Sequence, residues 1–275
     1  MSNRIIQEKA DSLRVIDDTL FRLIASRREV CQEILRTLLE SPDLVVHQVT
    51  VQAVMSGLHR EVALDALCEL PEGIWINVEM QKGRRHDDIR RTRFHAAAVT
   101  VNQTPKGAGF SDIPDVTVIY ITEYDALHNG RLFTEVRRGQ IVGDAMIPLE
   151  DGERICFVNT AVDDGSERAE LMRLFLKREA FEHEKFQELS KAVRYFKGSE
   201  KGRGEMCAVI EEYGMEQREE GREEGRAEMQ EAFEKEEKRF TRLLSILVEQ
   251  ENSEDIKKAA SDKMYREGLY TLYKI

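Results

Sequence analysis

Two carboxylates in the first third of the chain, Asp65 and Glu79, have the residue type and spacing to bind a metal ion. Asp65 interrupts an otherwise apolar run over residues 62–68, which is a costly place for an unpaired charge. Glu79 lies in an alternating segment, residues 74–80, that predicts a strand with one core face and one polar face. Two adjacent carboxylates repel unless a cation lies between them, and magnesium prefers oxygen ligands of this kind.

A hairpin would bring the two carboxylates together. Residues 71–73, Pro-Glu-Gly, are typical of a tight turn between the two segments. If Leu70 pairs with Ile74, the carboxylates fall opposite each other with their Cβ atoms about 4.5–5.5 Å apart. Gln81 would share their face and could orient a water or a phosphate oxygen. A register slip by one residue would place the carboxylates on opposite faces, and an ordinary solvent-exposed hairpin would need no metal.

The surrounding elements predict a mixed α/β domain with one central sheet flanked by helices. Apolar residues at three- and four-residue spacing predict a helix over residues 12–39, and Pro42 ends it. A second helix, over residues 84–102, is expected to pack on the sheet through Phe94, Ala97, Ala98 and Val101. Strand composition is found at residues 45–54, 62–70, 74–80, 116–121, 132–136 and 155–159.

The chain from Ser166 to the end is predicted to be helical. Residues 218–226 repeat Arg-Glu-Glu-Gly every four residues, so arginines and glycines form separate stripes on a helix. This repeat fits either a long exposed helix that pairs with another copy or a solvated linker. Residues 243–248 and 256–275 predict a small helical cap. We expect a domain over residues 1–200 and a charged helical extension over residues 201–275.

Composition limits the protein class. No stretch approaches the length of about 20 apolar residues that a membrane span needs, and the N-terminus lacks a signal-peptide core. We therefore expect a cytoplasmic protein without a membrane partner. The four cysteines form no Cys-x-x-Cys pair, which argues against a zinc site. A net charge of -11 counts against a nucleic-acid substrate unless basic residues gather on one face or cations neutralise the acidic ones.

At the hairpin the sequence resembles the PD-(D/E)XK nuclease superfamily, and more closely its recombination-promoting nucleases, also called PD-(D/E)XK family transposases. These proteins carry an Arg-x-Val-x-Leu-Asp strand, a Glu-Met-Gln strand, a helix with Arg-x-Arg-Tyr/Phe and an N-terminal Asp-x-x-Phe. The matching segments here are residues 60–65, 78–81, 91–94 and 18–21. Two residues depart from the pattern. Gln81 stands where the wider superfamily has lysine, although this family commonly has glutamine, and Ala63 stands where many members of this family have a basic residue.

The resemblance implies a restriction-endonuclease-like fold over residues 1–200 and metal-dependent hydrolysis of phosphodiester bonds in DNA. Asp65, Glu79 and the main-chain carbonyl of Met80 would bind Mg²⁺, with Mn²⁺ as a substitute. Asp65, Glu79 and Gln81 would form the catalytic set, with Gln81 positioning the attacking water.

The resemblance also indicates residues around this set. Arg91 and Arg93 are candidate phosphate contacts, although ion pairs with Asp87 or Asp88 would explain them equally well. Asp18 is a candidate accessory ligand, although a helix N-cap role is the simpler interpretation.

Three functional hypotheses stay open. The first is an active DNA endonuclease that assists recombination or the mobility of an element. The second is a catalytically weak nuclease fold that binds DNA or associates with itself, as a homo-oligomer through the C-terminal helices. The third is a purely structural protein in which the acidic residues pair with lysine or arginine.

Overall fold

The computed structural model describes residues 3–56, 61–84, 87–250 and 252–275, with side chains from residue 5 onward except at 213–228 and 230–234. The chain divides into two compact units, Met1–Glu211 and Glu212–Ile275. The boundary expected at residue 200 stays a prediction.

A six-stranded mixed sheet forms the centre of the first unit. The strands of the chain are β1 Gln48–Met55, β2 Val62–Glu69, β3 Trp75–Gln81, β4 Val116–Thr122, β5 Phe133–Val136, β6 Gly139–Val142, β7 Ala145–Pro148 and β8 Glu153–Asn159. Their order in the large sheet is β1-β2-β3-β4-β8-β5, and β6 pairs with β7 in a separate ribbon. Strands β3, β4 and β8 are parallel, and the other pairs are antiparallel. The predicted mixed sheet is confirmed.

Helices cover both faces of this sheet. The helices of the described chain are α1 Asn3–Ser12, α2 Asp18–Ala25, α3 Arg28–Leu38, α4 Asp88–Gln103, α5 Glu167–Phe175, α6 Gln187–Gly198, α7 Glu200–Glu249, α8 Ser253–Ser261 and α9 Lys263–Tyr273. Side chains of α1, α2, α3, α5 and α6 bury one face of the sheet, together with Met206 and Ile210 of α7. The other face packs against Ala96, Ala98 and Val99 of α4. Because apolar layers lie on both sides, the central strands are buried on both faces.

The prediction of one continuous helix over residues 12–39 is wrong. The structure has separate helices α2 and α3 in this range, and α1 ends where the predicted helix begins. The Asp17 carboxylate accepts a hydrogen bond from the Arg14 backbone N–H at 2.6 Å, and the Ile16 N–H donates to the Phe175 carbonyl at 3.1 Å. Both bonds replace helical ones. The apolar periodicity persists because α2 and α3 each bury one face.

Helix α4 buries a different face from the one predicted. Phe94, Ala97 and Val101 are exposed, and only Ala98 of the predicted set is buried. The buried face instead carries Asp88, Thr92, His95, Ala96, Ala98 and Val99. The sequence pattern fails to give the orientation of this helix because several apolar residues face the solvent and two titratable residues face the sheet.

The ribbon of β6 and β7 was missed by the sequence analysis. Its apolar residues Ile141, Val142, Met146 and Ile147 are all exposed, so the sequence carries no alternation of buried and exposed positions. The signal that could have revealed it is the Gly143-Asp144 turn, in which Gly143 has φ 62°.

The second unit has a small core of its own. Leu243 and Leu247 of α7 pack with Ala259 of α8 and with Leu269 and Tyr270 of α9. The predicted helical cap is therefore found. The backbone of the repeat at residues 218–226 is part of α7, and its side chains lie outside the described residues. Among the helices that the structure describes, none is both long and apolar enough to cross a bilayer.

Candidate functional site

The predicted hairpin register is confirmed. Strands β2 and β3 pair with Ala66 opposite Val78 and Cys68 opposite Ile76, and the Leu70 N–H donates to the Ile74 carbonyl at 2.8 Å. The turn at residues 71–73 closes the hairpin with positive φ at Glu72, 62°, and at Gly73, 72°. Glycine adopts this conformation without strain, and glutamate is the costlier of the two.

Strand β2 changes face at Asp65. Leu64 and Ala66 lie two residues apart, yet they pack into the cores on opposite sides of the sheet. A regular strand would place them on the same side. The irregularity is matched in β1, where Gln52, opposite Asp65, has φ 51° and falls out of the pairing ladder.

This irregularity directs Asp65 toward the edge of β3. The Met80 N–H donates to Asp65 Oδ2 at 2.9 Å, so the carboxylate takes the place of a ladder partner. The N–H and carbonyl of one strand residue point toward the same neighbour, so the Met80 carbonyl also points toward β2. The Asp65 carboxylate and the Met80 carbonyl therefore lie on the same side of β3, facing β2.

Glu79 is held beside Asp65 and is equally buried, each residue being 5% exposed. Its Oε1 atom accepts a hydrogen bond from Asn77 Nδ2 at 2.9 Å and lies 3.4 Å from the Asp65 backbone N. His95 Nδ1, on α4, is also 3.4 Å from this oxygen. Helix α4 thus covers the face of β3 that was predicted to be polar.

The electrostatic environment of Asp65 favours its protonated form. Burial, and after it the charge of Glu79, raises the pKa of Asp65 to about 8. The Met80 N–H and Arg22 act in the opposite direction. Arg22 Nε and Nη2 both lie 3.4 Å from Asp65 Oδ1, and Arg22 Nη2 lies 3.3 Å from Asp18 Oδ2. Two crowded carboxylates and one arginine therefore share this buried site.

Asp18 is linked to the site through its ion pair with Arg22, and its charge also raises the pKa of Asp65. Its predicted alternative role as a helix N-cap is wrong, because the N-cap position of α2 is Asp17. The Asp17 carboxylate makes no cap bond and pairs with Lys82 instead. Arg22 was missed by the sequence analysis. The only available signal was its position one turn after Asp18, at i+4.

Gln81 belongs to a second polar network at the end of β3. Its Nε2 donates to the Gly83 carbonyl at 2.8 Å, and the Tyr120 hydroxyl lies 3.4 Å from its Oε1. The Tyr120 and Tyr124 hydroxyls donate to the same Asp88 oxygen, at 2.9 and 2.7 Å. Burial, followed by the charge of Asp88, raises the pKa of Tyr120. The Gly83 carbonyl therefore fixes the amide of Gln81, because the Tyr120 hydroxyl gives its one proton to Asp88.

Arg91 and Arg93 lie on α4 beyond this network. Arg91 is half-buried and Arg93 is exposed. Within the described residues, neither arginine forms an ion pair with Asp87 or Asp88, and neither is bonded to Asp65 or Glu79. Arg60, the first residue of the strand motif, lies outside the described residues.

A family model described as PD-(D/E)XK nuclease family transposase matches residues 21–142. This match supports the PD-(D/E)XK transposase-like family for that segment of the chain. The match runs from α2 to the end of β6 and contains Asp65, Glu79 and Gln81. The mixed sheet with helices on both faces agrees with the restriction-endonuclease-like fold predicted from the resemblance. No curated protein and no solved structure matches the chain.

The donor set agrees with the divalent metal that PD-(D/E)XK nucleases generally use. Two carboxylates and a main-chain carbonyl are hard oxygen ligands, and Mg²⁺ typically uses one or two carboxylates completed by water and phosphate. Among the described residues, no group of three or more His, Cys, Asp and Glu side chains could hold a metal by itself. A metal here would therefore depend on the carbonyl, on water and on substrate. Its binding would also have to compete with Arg22 for Asp65.

Proposed function

We propose that this protein is a metal-dependent DNA endonuclease that hydrolyses phosphodiester bonds and serves recombination or the mobility of an element. The observation that carries the proposal is the burial of Asp65 and Glu79 side by side on two strands of a PD-(D/E)XK family segment. Burying two neighbouring acids is costly unless a cation or proton neutralises them. A site that tolerates this cost for folding alone would be unusual.

Asp65, Glu79 and the Met80 carbonyl would hold Mg²⁺ or Mn²⁺. A bound divalent ion supplies Lewis acidity, which makes water a better nucleophile and offsets charge on the phosphate. Asp65 is oriented for this by the Met80 N–H, and Glu79 is oriented by Asn77. Both ligands are thus fixed before substrate binds, which lowers the reorganisation needed for reaction.

Gln81 would position the attacking water. Its amide is held by the Gly83 carbonyl. Glutamine carries no charge, so it cannot replace the lysine that the wider superfamily has at this position in stabilising the phosphate. Arg91 and Arg93 are proposed phosphate contacts, because within the described residues neither is ion-paired. The DNA backbone is bound mainly by arginine and lysine.

The alternative function is a catalytically weak nuclease fold that binds DNA or associates with itself through the C-terminal helices. The contact between Arg22 and Asp65 favours it, since a paired Asp65 is a poorer metal ligand. The two functions differ in whether metal binds tightly and whether cleavage depends on Asp65. We place either function in the cytoplasm, where the four free cysteines would stay reduced.

Cleavage of supercoiled plasmid tests the proposal. Purified protein is incubated with Mg²⁺, Mn²⁺, Ca²⁺ or EDTA, beside the Asp65→Ala and Glu79→Ala variants. Cutting that needs Mg²⁺ or Mn²⁺ and is lost in both variants supports the endonuclease. Folded wild-type protein that binds DNA and cuts with none of the metals supports the alternative. Equal cutting by wild type and variants would mean that the site is wrongly placed.

A further inference from the structure

His95 is a buried titratable residue that no family motif accounts for. It lies on α4, is 2% exposed, and its Nδ1 atom is 3.4 Å from Glu79 Oε1. This nitrogen is fully buried and has no hydrogen-bond partner among the described residues. An unsatisfied buried polar atom is rare and costly, so its position calls for a functional explanation.

Asn77 approaches the same oxygen from the strand. It is 0% exposed, and its Nδ2 donates to Glu79 Oε1 at 2.9 Å, while its Oδ1 has no partner. The Asp65 backbone N–H is 3.4 Å from this oxygen as well. Three nitrogens therefore converge on one oxygen of Glu79.

Helix α4 is fixed at its N-terminal end, which determines where His95 lies. Asp88 is anchored by the hydroxyls of Tyr120 and Tyr124. His95 follows Asp88 by seven residues, two helical turns, and therefore lies on the same sheet-facing side of α4. Its neighbour Ala96 and Val99, one turn later, fill the apolar core on this face. An imidazole beside this apolar core faces a carboxylate, so its contact with Glu79 distinguishes it from the packing residues around it.

We propose that His95 is a positioning residue for Glu79. Its Nδ1–H donates to Oε1 alongside Asn77, which turns the Oε2 atom of Glu79 toward the cation that the proposed function requires. A nitrogen 3.4 Å away is at the outer limit of a hydrogen bond, and such bonds shorten in the loaded state. Residues that orient a metal ligand typically contribute 10–100-fold to metal affinity. The inference rests on the proposed function.

Two amide substitutions test the atom that His95 uses. In His95→Asn the amide nitrogen lies near the place of Nδ1, whereas in His95→Gln it reaches toward the place of Nε2. The Mn²⁺ dissociation constant is measured without DNA by electron paramagnetic resonance, and plasmid cleavage is measured in parallel. Thr92→Val is the matched control, because Thr92 is buried on the same face and its hydroxyl donates to the Ile89 carbonyl of its own helix and to no other described residue.

We expect His95→Asn and Thr92→Val to bind Mn²⁺ within about threefold of wild type, and His95→Gln to bind it roughly 10–100-fold more weakly. Thermal melts confirm that each variant is folded. In ¹⁵N spectra of wild type, the His95 ring should carry its proton on Nδ1, and Glu79→Gln should shift that signal.

Three results would overturn the inference. If wild type binds Mn²⁺ and both amide variants match it, His95 does not position Glu79. If both amide variants weaken binding equally, the Nδ1 atom is not the donor. If wild type neither binds Mn²⁺ nor cuts DNA, the proposed function fails and the inference fails with it.

Discussion

Replacing Asp65 with asparagine should remove a large part of the pH dependence of folding in the metal-free protein. Burial and Glu79 raise the pKa of Asp65 to about 8, whereas the carboxyl ionises near about 3.9 in an unfolded chain. The folded protein therefore holds one more proton than the unfolded chain between these values. Stability from this proton is complete below about pH 4 and is lost as the pH rises toward about 8.

The magnitude follows from the slope of about 1.4 kcal/mol per pH unit for one proton. Between pH 5 and pH 7, wild type should lose roughly 2 to 3 kcal/mol of unfolding free energy through this group. Asp65→Asn keeps the shape of the side chain and cannot ionise, so the variant should not lose this unfolding free energy between pH 5 and pH 7. Arg22 loses its partner in the variant at both pH values, so this cost cancels when the stability of the variant at pH 5 is compared with its stability at pH 7.

Urea denaturation with EDTA at pH 5, 6, 7 and 8 measures the difference. Asp144→Asn, at an exposed carboxylate in the turn of the β6–β7 ribbon, is the control and should behave as wild type. Parallel stability curves for wild type and Asp65→Asn would refute the reasoning, because they would mean that Asp65 is already ionised in the folded protein at neutral pH.

Three further predictions concern the same unit. Magnesium should raise the melting temperature more at pH 8 than at pH 6, because it competes with the buried carboxyl proton. Gly202→Ala should destabilise the protein in thermal melts, since its Cβ would lie 2.2 Å from the Tyr195 carbonyl oxygen, whereas Gly204→Ala, with open space, should stabilise it by up to about 1 kcal/mol. Tyr120→Phe should cost about 1–3 kcal/mol in urea denaturation, because Asp88 loses a buried donor.

Each of these predictions has a contrary outcome. A magnesium effect independent of pH would place the ion away from the buried carboxyls. Equal effects of alanine at the two glycines would mean that the end of α6 moves freely to admit a methyl group. An unchanged Tyr120→Phe variant would show that Tyr124 alone satisfies Asp88.

The site was predictable where it depends on local geometry. The Pro-Glu-Gly turn and the two-residue period of β3 are sufficient to place Asp65 beside Glu79. They do not reveal the change of face at Asp65, because it arises from the irregular backbone of Gln52 on the neighbouring strand. Arg22 was equally hidden, since its contact with Asp65 joins residues that lie far apart in sequence.

The fold shows the same limit. The strands of the large sheet were found from their composition, because burial on one or both faces selects β-branched and apolar residues. The orientation of α4 was not found, because Ile89 and Val101 are exposed while Asp88 and His95 are buried. A pattern rule assigns the apolar residues to the inside, and here two polar contacts with the sheet determine the orientation instead.

The proton that Asp65 retains, together with the contact from Arg22, has a consequence for how the protein is made and kept in the cell. A folded chain that neutralises its own buried carboxyls does not need an ion to complete its core, unlike small domains that unfold when a chelator removes their metal. Synthesis and storage are then independent of metal supply. Under the proposed function, Arg22 would leave Asp65 when magnesium and DNA bind together. Without both, the protein would not cleave DNA in the cell.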